Sequence, residues 1–479
     1  MQTVYSPATT NEDFGTELNA GYIWGIASIA ALGGLLFGYD WVVIGGAKPF
    51  YECFFHLTSE VQVGWANSCA LIGCLLGSLV AGTLSDSAGR KKTLLCSALL
   101  FTFSSLLTGW SYSFVAFVAW RIVGGVAIGL ASNVCPTYIA EISPAAWRGR
   151  LISLNQLALV SGILMAQVAN FVIARRVVEG ASSLAMEQSW NVQYGWRWMF
   201  TAVALPGMVF FFATLWIPES PRWQMVRGFE GAARSTLAKI GGSLYAERSV
   251  ATIQEGLQQE GHVRDGWREL CAPNLRRVLL IGVTLAVIQQ WSGINILFNY
   301  AEEVFRSAGY GVNEILFNIV ITGAINLVFT VVAMLCVDRF GRRSIMLFGT
   351  VGVGVSHLLS AVAYARGMRG PAVLILTLSA IACYAVSLAP ITWVLIAEIF
   401  PNRIRGLAVS VAVAALWASS FALTYSFPIL NRVLGTGGTF SAYAAICFFG
   451  AVFISLFVPE TKGRTLEEIE RVFALAREP

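Results

Sequence analysis

Long apolar runs separated by short polar punctuation fill this chain. Runs of spanning length lie near 22–47, 61–84, 92–110, 114–136, 150–174 and 197–217 and, after a charged stretch, near 277–302, 313–336, 343–365, 371–399, 405–430 and 438–458. A helix needs roughly 20 apolar residues to cross the hydrocarbon of a bilayer. The pattern therefore predicts an all-α polytopic membrane protein with twelve membrane helices, six plus six. It divides the chain into a tail (1–21), an N-terminal six-helix half (22–217), a helical linker (218–276), a C-terminal six-helix half (277–458) and a second tail (459–479). In the linker, Leu237, Ile240, Leu244, Ile253 and Leu257 recur at roughly helical spacing, which predicts short amphipathic helices rather than a floppy connection.

Composition agrees with a membrane protein. Of 479 residues, 56% are hydrophobic and only 12% charged, against about 25% charged in soluble domains. The formal charge of +5 sits in short loops, so it speaks for topology and against nucleic acid binding. One side collects 23 of the Lys and Arg residues, the other eight, and Arg121 lies inside a span. The positive-inside rule makes the first side, the linker and both termini cytoplasmic, so the expected location is the plasma membrane, the inner membrane in a bacterium. The first 20 residues carry neither Lys nor Arg and no cleavable apolar core, so they read as a tail rather than a signal peptide. Nine cysteines without CxxC spacing and three histidines without a ligand pattern predict no metal site and no cofactor. His357 falls in a span, where a packing or helix-bonding role is expected.

One span departs from the apolar rule. Ala286 to Tyr300, AVIQQWSGINILFNY, holds Gln289, Gln290, Asn295 and Asn299 beside Gly293. An amide in hydrocarbon is costly unless it finds a partner, so such groups face a protein interior or a water-filled cavity. On one continuous helix, Gln290 and Asn295 would stand about 140° apart and flank a broad face. Amides donate and accept, which suits a ligand made of hydroxyl groups. The alternative is that they only join neighbouring helices.

The two halves repeat each other. GTLSDSAGRKK (82–92) recurs as CVDRFGRRS (336–344), YIAEISPAAWRGR (138–150) as LIAEIFPNRIRG (395–406), and PESPRW (218–223) as PETKGR (459–464). These copies combine Asp86, Glu141, Glu219, Asp338, Glu398 and Glu460 with Arg90, Arg148, Arg150, Arg342, Arg403 and Arg405. The positive-inside bias explains the arginines but not the matched acids. They are expected to form ion pairs that clamp the halves together at the cytoplasmic end in one state and break in another.

With LGGLLFGYD (32–40), WRIVGG (120–125), QQWSGIN (289–295) and PETKGRT (459–465), these repeats resemble the sugar porter family of the major facilitator superfamily, over about residues 22–472. The chain is most similar to bacterial proton-coupled symporters of the D-xylose type, relatives of the mammalian facilitative glucose transporters. The resemblance implies alternating access around a sugar held by Gln156, Gln289, Gln290, Asn295, Asn326, Trp393 and Trp417, with Phe298 and Tyr300 as an extracellular gate. Indole faces suit the CH side of a sugar ring, and amides suit its hydroxyls. Departures are Asn299 in place of a gate tyrosine, Leu416 and Ser420 at positions usually polar or asparagine, and Ile163 and Phe298, which match the glucose facilitators. These leave a hexose such as glucose or galactose as open as xylose.

Two ionised side chains lie deep in the first half, Asp40 and Arg121. Each alone costs roughly 2.5–3.5 kcal/mol on insertion scales, so a pair is expected. The pair is either static or, as the resemblance implies, the seat of proton coupling. Aspartate marks the coupled relatives and asparagine the facilitators, although a glutamate of the coupled relative is Val203 here. The expected partners are thus a monosaccharide, protons and the bilayer, with the protein a monomer. A uniporter, or a sensor that binds sugar without moving it, is the alternative. No nucleophile, metal set or phosphate loop points to an enzyme.

Overall fold

The computed structural model describes residues 18–177, 183–260, 273–400, 405–460 and 462. The first five spans are the helices Ala20–Phe54, Glu60–Ala88, Arg90–Gly109, Phe114–Ile142 and Arg148–Ile173. Span 6 is assembled from a π-turn, Asn191–Gly195, and the helices Trp196–Thr201 and Ala204–Trp216. Span 7 comes in pieces, Pro273–Trp291 and Ile294–Asn299, followed by Ala301–Ser307. Spans 8 and 9 are Val312–Phe340 and Arg342–Ala365, and span 10 is Pro371–Val386 with Leu388–Ile399.

The last helical stretch, Arg405–Phe457, has 53 residues. At 1.5 Å per residue that is about 80 Å, more than twice the hydrocarbon thickness. It holds spans 11 and 12, which turn back at Gly435, where φ 69° and ψ 168° leave the helix. Only glycine reaches that conformation without strain. The six-plus-six count thus stands.

Helices approach closely where small residues face each other. Gly73 and Gly77 of span 2 lie against the backbone of Ile122 and Val126 in span 4, and Gly125 and Gly129 of span 4 lie against Ala70 and Cys74 of span 2. A methyl at any of the four would collide with a carbonyl, and this four-residue spacing of small residues is how helices pack without a hydrophobic driving force. Around the outside, Leu205, Phe212, Trp216, Leu335, Phe348 and Val433 stand exposed, the belt that hydrocarbon requires.

In the linker, Pro221–Val226 and Glu230–Glu260 are helical, the latter turned at Gly241 and Gly242. Leu237 and Ile240 are buried as their spacing predicts, whereas Leu244 is exposed. The Asn19 N–H donates to the Ile240 carbonyl at 2.8 Å, which ties the linker to the start of span 1.

Candidate functional site

The amide-rich stretch is not the continuous helix its period suggested. The helix ends at Trp291, Gly293 adopts a left-handed φ of 84°, and a new helix begins at Ile294. His357 of span 9 holds this break, its Nε2 lying 2.8 Å from the Ser292 carbonyl oxygen. A side chain on Gly293 would meet the Tyr443 ring and His357. The 140° placement of Gln290 and Asn295 therefore does not apply. The break itself turns the Asn295 side-chain amide onto the Gln290 side-chain oxygen.

The amides form a buried chain. Gln289 donates to the Leu388 carbonyl of span 10 at 3.1 Å, Gln290 donates to the Gln289 side-chain oxygen at 3.1 Å, and Asn295 also reaches the Ser420 hydroxyl of span 11 at 3.4 Å. Leu388 begins the second piece of span 10, so two broken helices meet at this point. Such discontinuities near a repeat interface are where transporters of this architecture place their ligand groups.

Trp417 is 3% exposed, its ring 5.7 Å from Phe37 of span 1 and its Nε1 without a hydrogen-bond partner. A buried indole N–H usually finds an acceptor, so this one is available to a ligand. Trp393 is half-buried beside the same core, and Leu416 is buried. Gln156 on span 5 is half-buried and Asn326 on span 8 is buried; among the described residues, no hydrogen bond joins either to the amide chain. Phe298 and Tyr300 are buried. Phe298 lies 6.0 Å from Trp41 of span 1, and Tyr300 donates to the Thr424 carbonyl at 2.8 Å and packs 4.6 Å from Phe427. Asn299 is buried, its side-chain oxygen unpartnered.

Asp40 and Arg121 do pair. Arg121 Nη1 donates to Asp40 Oδ1 at 3.0 Å, both residues being 3% exposed. The guanidinium also reaches the Asp40 main-chain carbonyl at 3.4 Å and lies 5.3 Å over the Phe200 ring. Asp40 Oδ2 is buried with no partner, facing the bare backbone of Gly124, where a Cβ would come within 3.5 Å of it. An ionised carboxylate with an unpaired buried oxygen is poorly satisfied.

At the end bearing the basic loops, the acids and arginines are organised differently from the expected clamp. Arg90 grips Glu141 through Nε and Nη2, both at 3.0 Å, and reaches Asp86 at 2.8 Å. Glu219 accepts the backbone N–H groups of Arg90 and Lys91 at 2.9 and 3.1 Å, and Glu460 accepts those of Arg342 and Arg343 at 2.9 and 3.2 Å. Each glutamate thus neutralises a helix N-terminus that follows a glycine with positive φ, Gly89 or Gly341. Arg148 and Arg150 are exposed. All of these contacts lie inside one half, so among the described residues they join helices within each repeat and do not tie the halves together. The side chains of Asp338, Glu398, Arg403 and Arg405 lie outside the described set.

The halves meet instead at the opposite end. Gly45 of span 1 lies against the Phe298 carbonyl, and a methyl on Gly64 would come 2.5 Å from the Tyr425 carbonyl. Gln167 donates to Thr322 at 3.3 Å, the Phe171 and Phe317 rings are 5.9 Å apart, and Val177 N–H donates to Asn313 at 3.1 Å. Lys48 of span 1 is 2% exposed and is paired with Glu52 at 2.9 Å and, across the halves, with Glu302 at 3.5 Å and with Glu303. In the charge pattern Lys48 is one of the eight basic residues on the less basic side. A lysine within an apolar run, like Asp40, was the available signal.

The family model described as Sugar (and other) transporter matches residues 26–473. The D-xylose-proton symporter of Escherichia coli (strain K12) is 36% identical, covering 96% of this chain and 97% of the relative. The glucose transport protein of Synechocystis sp. is also 36% identical, over 94% and 97%. The inward open conformation of the Escherichia coli xylose transporter superposes with a TM-score of 0.82 at 35% identity, covering 94% of this chain and all of that one. Matched along almost its whole length by the family model, by relatives and by a solved fold with the same two helical halves, the chain belongs to the sugar transporter family of the major facilitator superfamily.

Proposed function

We propose that the protein imports a monosaccharide together with a proton by alternating access, with both termini and the linker on the cytoplasmic side of the membrane. The observation that carries the reading is the break in span 7, which gathers Gln289, Gln290 and Asn295 against span 10 and span 11 while the Trp417 indole N–H is left without a partner. Such a set reads hydroxyls with amides and an apolar ring face with indoles. Gln156, Asn326 and Trp393 complete the sugar site. Phe298 and Tyr300 close it from outside, packed here on Trp41, Phe427 and Thr424. The halves pack on each other at the gate end, the arrangement of an inward-facing state. In the outward-facing state the carboxylates and arginines of the basic loops exchange their partners within each half for partners across the halves.

Asp40 and Arg121 supply the coupling. A proton on the orphan Oδ2 of Asp40 neutralises the carboxylate and loosens its hold on Arg121, so the packing of spans 1 and 4 depends on proton occupancy. The D-xylose-proton symporter and the glucose transport protein among the relatives frame the choice of sugar, a pentose or a hexose. Ser420, bonded to Asn295 where relatives carry asparagine, and Asn299 at the gate are the residues that set it. The test is uptake of a panel of radiolabelled pentoses and hexoses into proteoliposomes at varied pH gradients. Accumulation of one sugar that follows the gradient is expected. Equilibration without accumulation would make the protein a uniporter, and absence of uptake of every sugar would refute the reading.

A further inference from the structure

A buried charge cluster joins the halves at the gate end, apart from the amide chain. Lys48 and Glu52 stand on span 1, and Glu302 and Glu303 on the short helix after span 7. Lys48 and Glu302 are almost fully buried, and Arg306 reaches Glu302 from a largely exposed position. The cluster opens into a cavity of about 310 Å³ between the halves, bordered by Lys48, Glu52, Glu60, Glu303, Asn431 and Arg432.

Its charges do not balance. Three carboxylates, Glu52, Glu302 and Glu303, face two cations, Lys48 and the exposed Arg306; Glu60 and Arg432 neutralise each other at 2.9 Å. The other polar groups turned this way are the Tyr300 ring, 5.5 Å from the Lys48 ammonium, and Tyr51. Tyr51 is fully buried, its hydroxyl has no partner, and it feels the charges of Glu52, Glu303 and, on the inner side, Arg121. The second oxygen of Glu303 is likewise buried without a partner. An excess negative charge enclosed in this way is costly unless it is neutralised.

We propose that Lys48, Glu52, Glu302 and Glu303 form a second proton-binding site, which takes up a proton when the two halves close at the outer end. With the gate open, the carboxylates on span 1 and those after span 7 separate into water and ionise as ordinary acids. Closure brings all three around one ammonium, and the surplus charge is removed by protonating one of them. Burial, reinforced by Glu302 and Glu52 and opposed by Lys48, holds the Glu303 carboxyl above the ordinary carboxylate range in the closed state. A carboxyl raised on closure binds the proton in the closed state and releases it in the open one. Closure is therefore favoured as pH falls through the interval between the open and closed values, and is lost as pH rises through it. The site makes the gate step itself proton-dependent, apart from Asp40.

The test uses the full chain in detergent without sugar, with genetically encoded spin labels at Tyr112 and Met368 so that all nine cysteines stay in place. The distance distribution is followed from pH 5 to pH 9. In an Asp40→Asn background the closed-to-open ratio is expected to rise as pH falls, by up to about tenfold per unit for one proton. Glu303→Gln in that background balances the charges and should abolish the slope with the gate closed throughout; Glu52→Gln should do the same if Glu303→Gln fails to fold. Glu314→Gln, exposed at the same end, should leave the slope intact. A flat profile in Asp40→Asn alone, or a slope that survives both cluster variants, overturns the proposal. Because the readout needs no sugar and no transport, failure of the symport reading leaves this result interpretable. The choice of which end is outer rests on the orientation proposed above.

Discussion

Asp40→Asn separates the two things the buried pair does. Asparagine keeps an oxygen where Asp40 Oδ1 accepts from Arg121 at 3.0 Å, so the hydrogen bond survives while the charge and the titratable oxygen are lost. Removing one partner of a buried ion pair outright costs about 3–5 kcal/mol. Here Arg121 retains that oxygen, the residue 40 carbonyl at 3.4 Å and the Phe200 face, so what is lost is the opposite charge and not a hydrogen bond, and the cost stays below that range. The variant should fold, melt somewhat earlier in detergent, and still bind and exchange sugar. What it should lose is accumulation. One proton crossing 100 mV supplies about 2.3 kcal/mol, close to a fiftyfold sugar ratio, and without Asp40 to carry the proton across the ratio should fall to one, since the gate cluster takes up and releases its proton at the same end. The assay is sugar counterflow beside uptake driven by an imposed pH gradient, in the same vesicles. If Asp40→Asn still concentrates sugar, or the unmutated protein never does, the coupling argument fails.

Other expectations follow from single contacts. Gln290→Ala removes the acceptor of Asn295 and should weaken sugar binding by about 1–3 kcal/mol, read by titration calorimetry; an unchanged Kd would make Gln290 structural. Gly45→Leu places a side chain into the Phe298 carbonyl and should hold the outer gate open, raising the reactivity of an engineered cysteine at Val63; unaltered labelling would refute the close packing as the closing surface. Glu219→Gln removes the anion at the N-terminus of span 3 and should lower the unfolding midpoint by an amount corresponding to about 1–2 kcal/mol, with no midpoint change telling against the capping role. A cysteine engineered into 230–260 should resist an impermeant reagent in intact cells, and labelling there would reverse the topology.

Sequence and tertiary structure settled different things here. Twelve spans, two like halves and the helical linker were legible because burial in hydrocarbon writes itself as long apolar runs and short charged loops. The partnership of Asp40 and Arg121 was also readable, since two lone charges in one half have few alternatives. The sequence supplied the residue types of the amide site but the wrong local geometry: a 3.6-residue period assumes a continuous helix, and the break at Gly293 is held by His357, 64 residues away in sequence. The repeated acids were visible, but not that Glu219 and Glu460 would spend themselves on helix N-termini within their own halves. Nor could the pattern disclose the Lys48 cluster, whose members lie some 250 residues apart and meet across the interface of the halves. Periodicity and local composition fix which segments cross the membrane, because those properties are local. Which side chains neutralise one another across two moving halves is a matter of distance in space, and only the packed structure determines it.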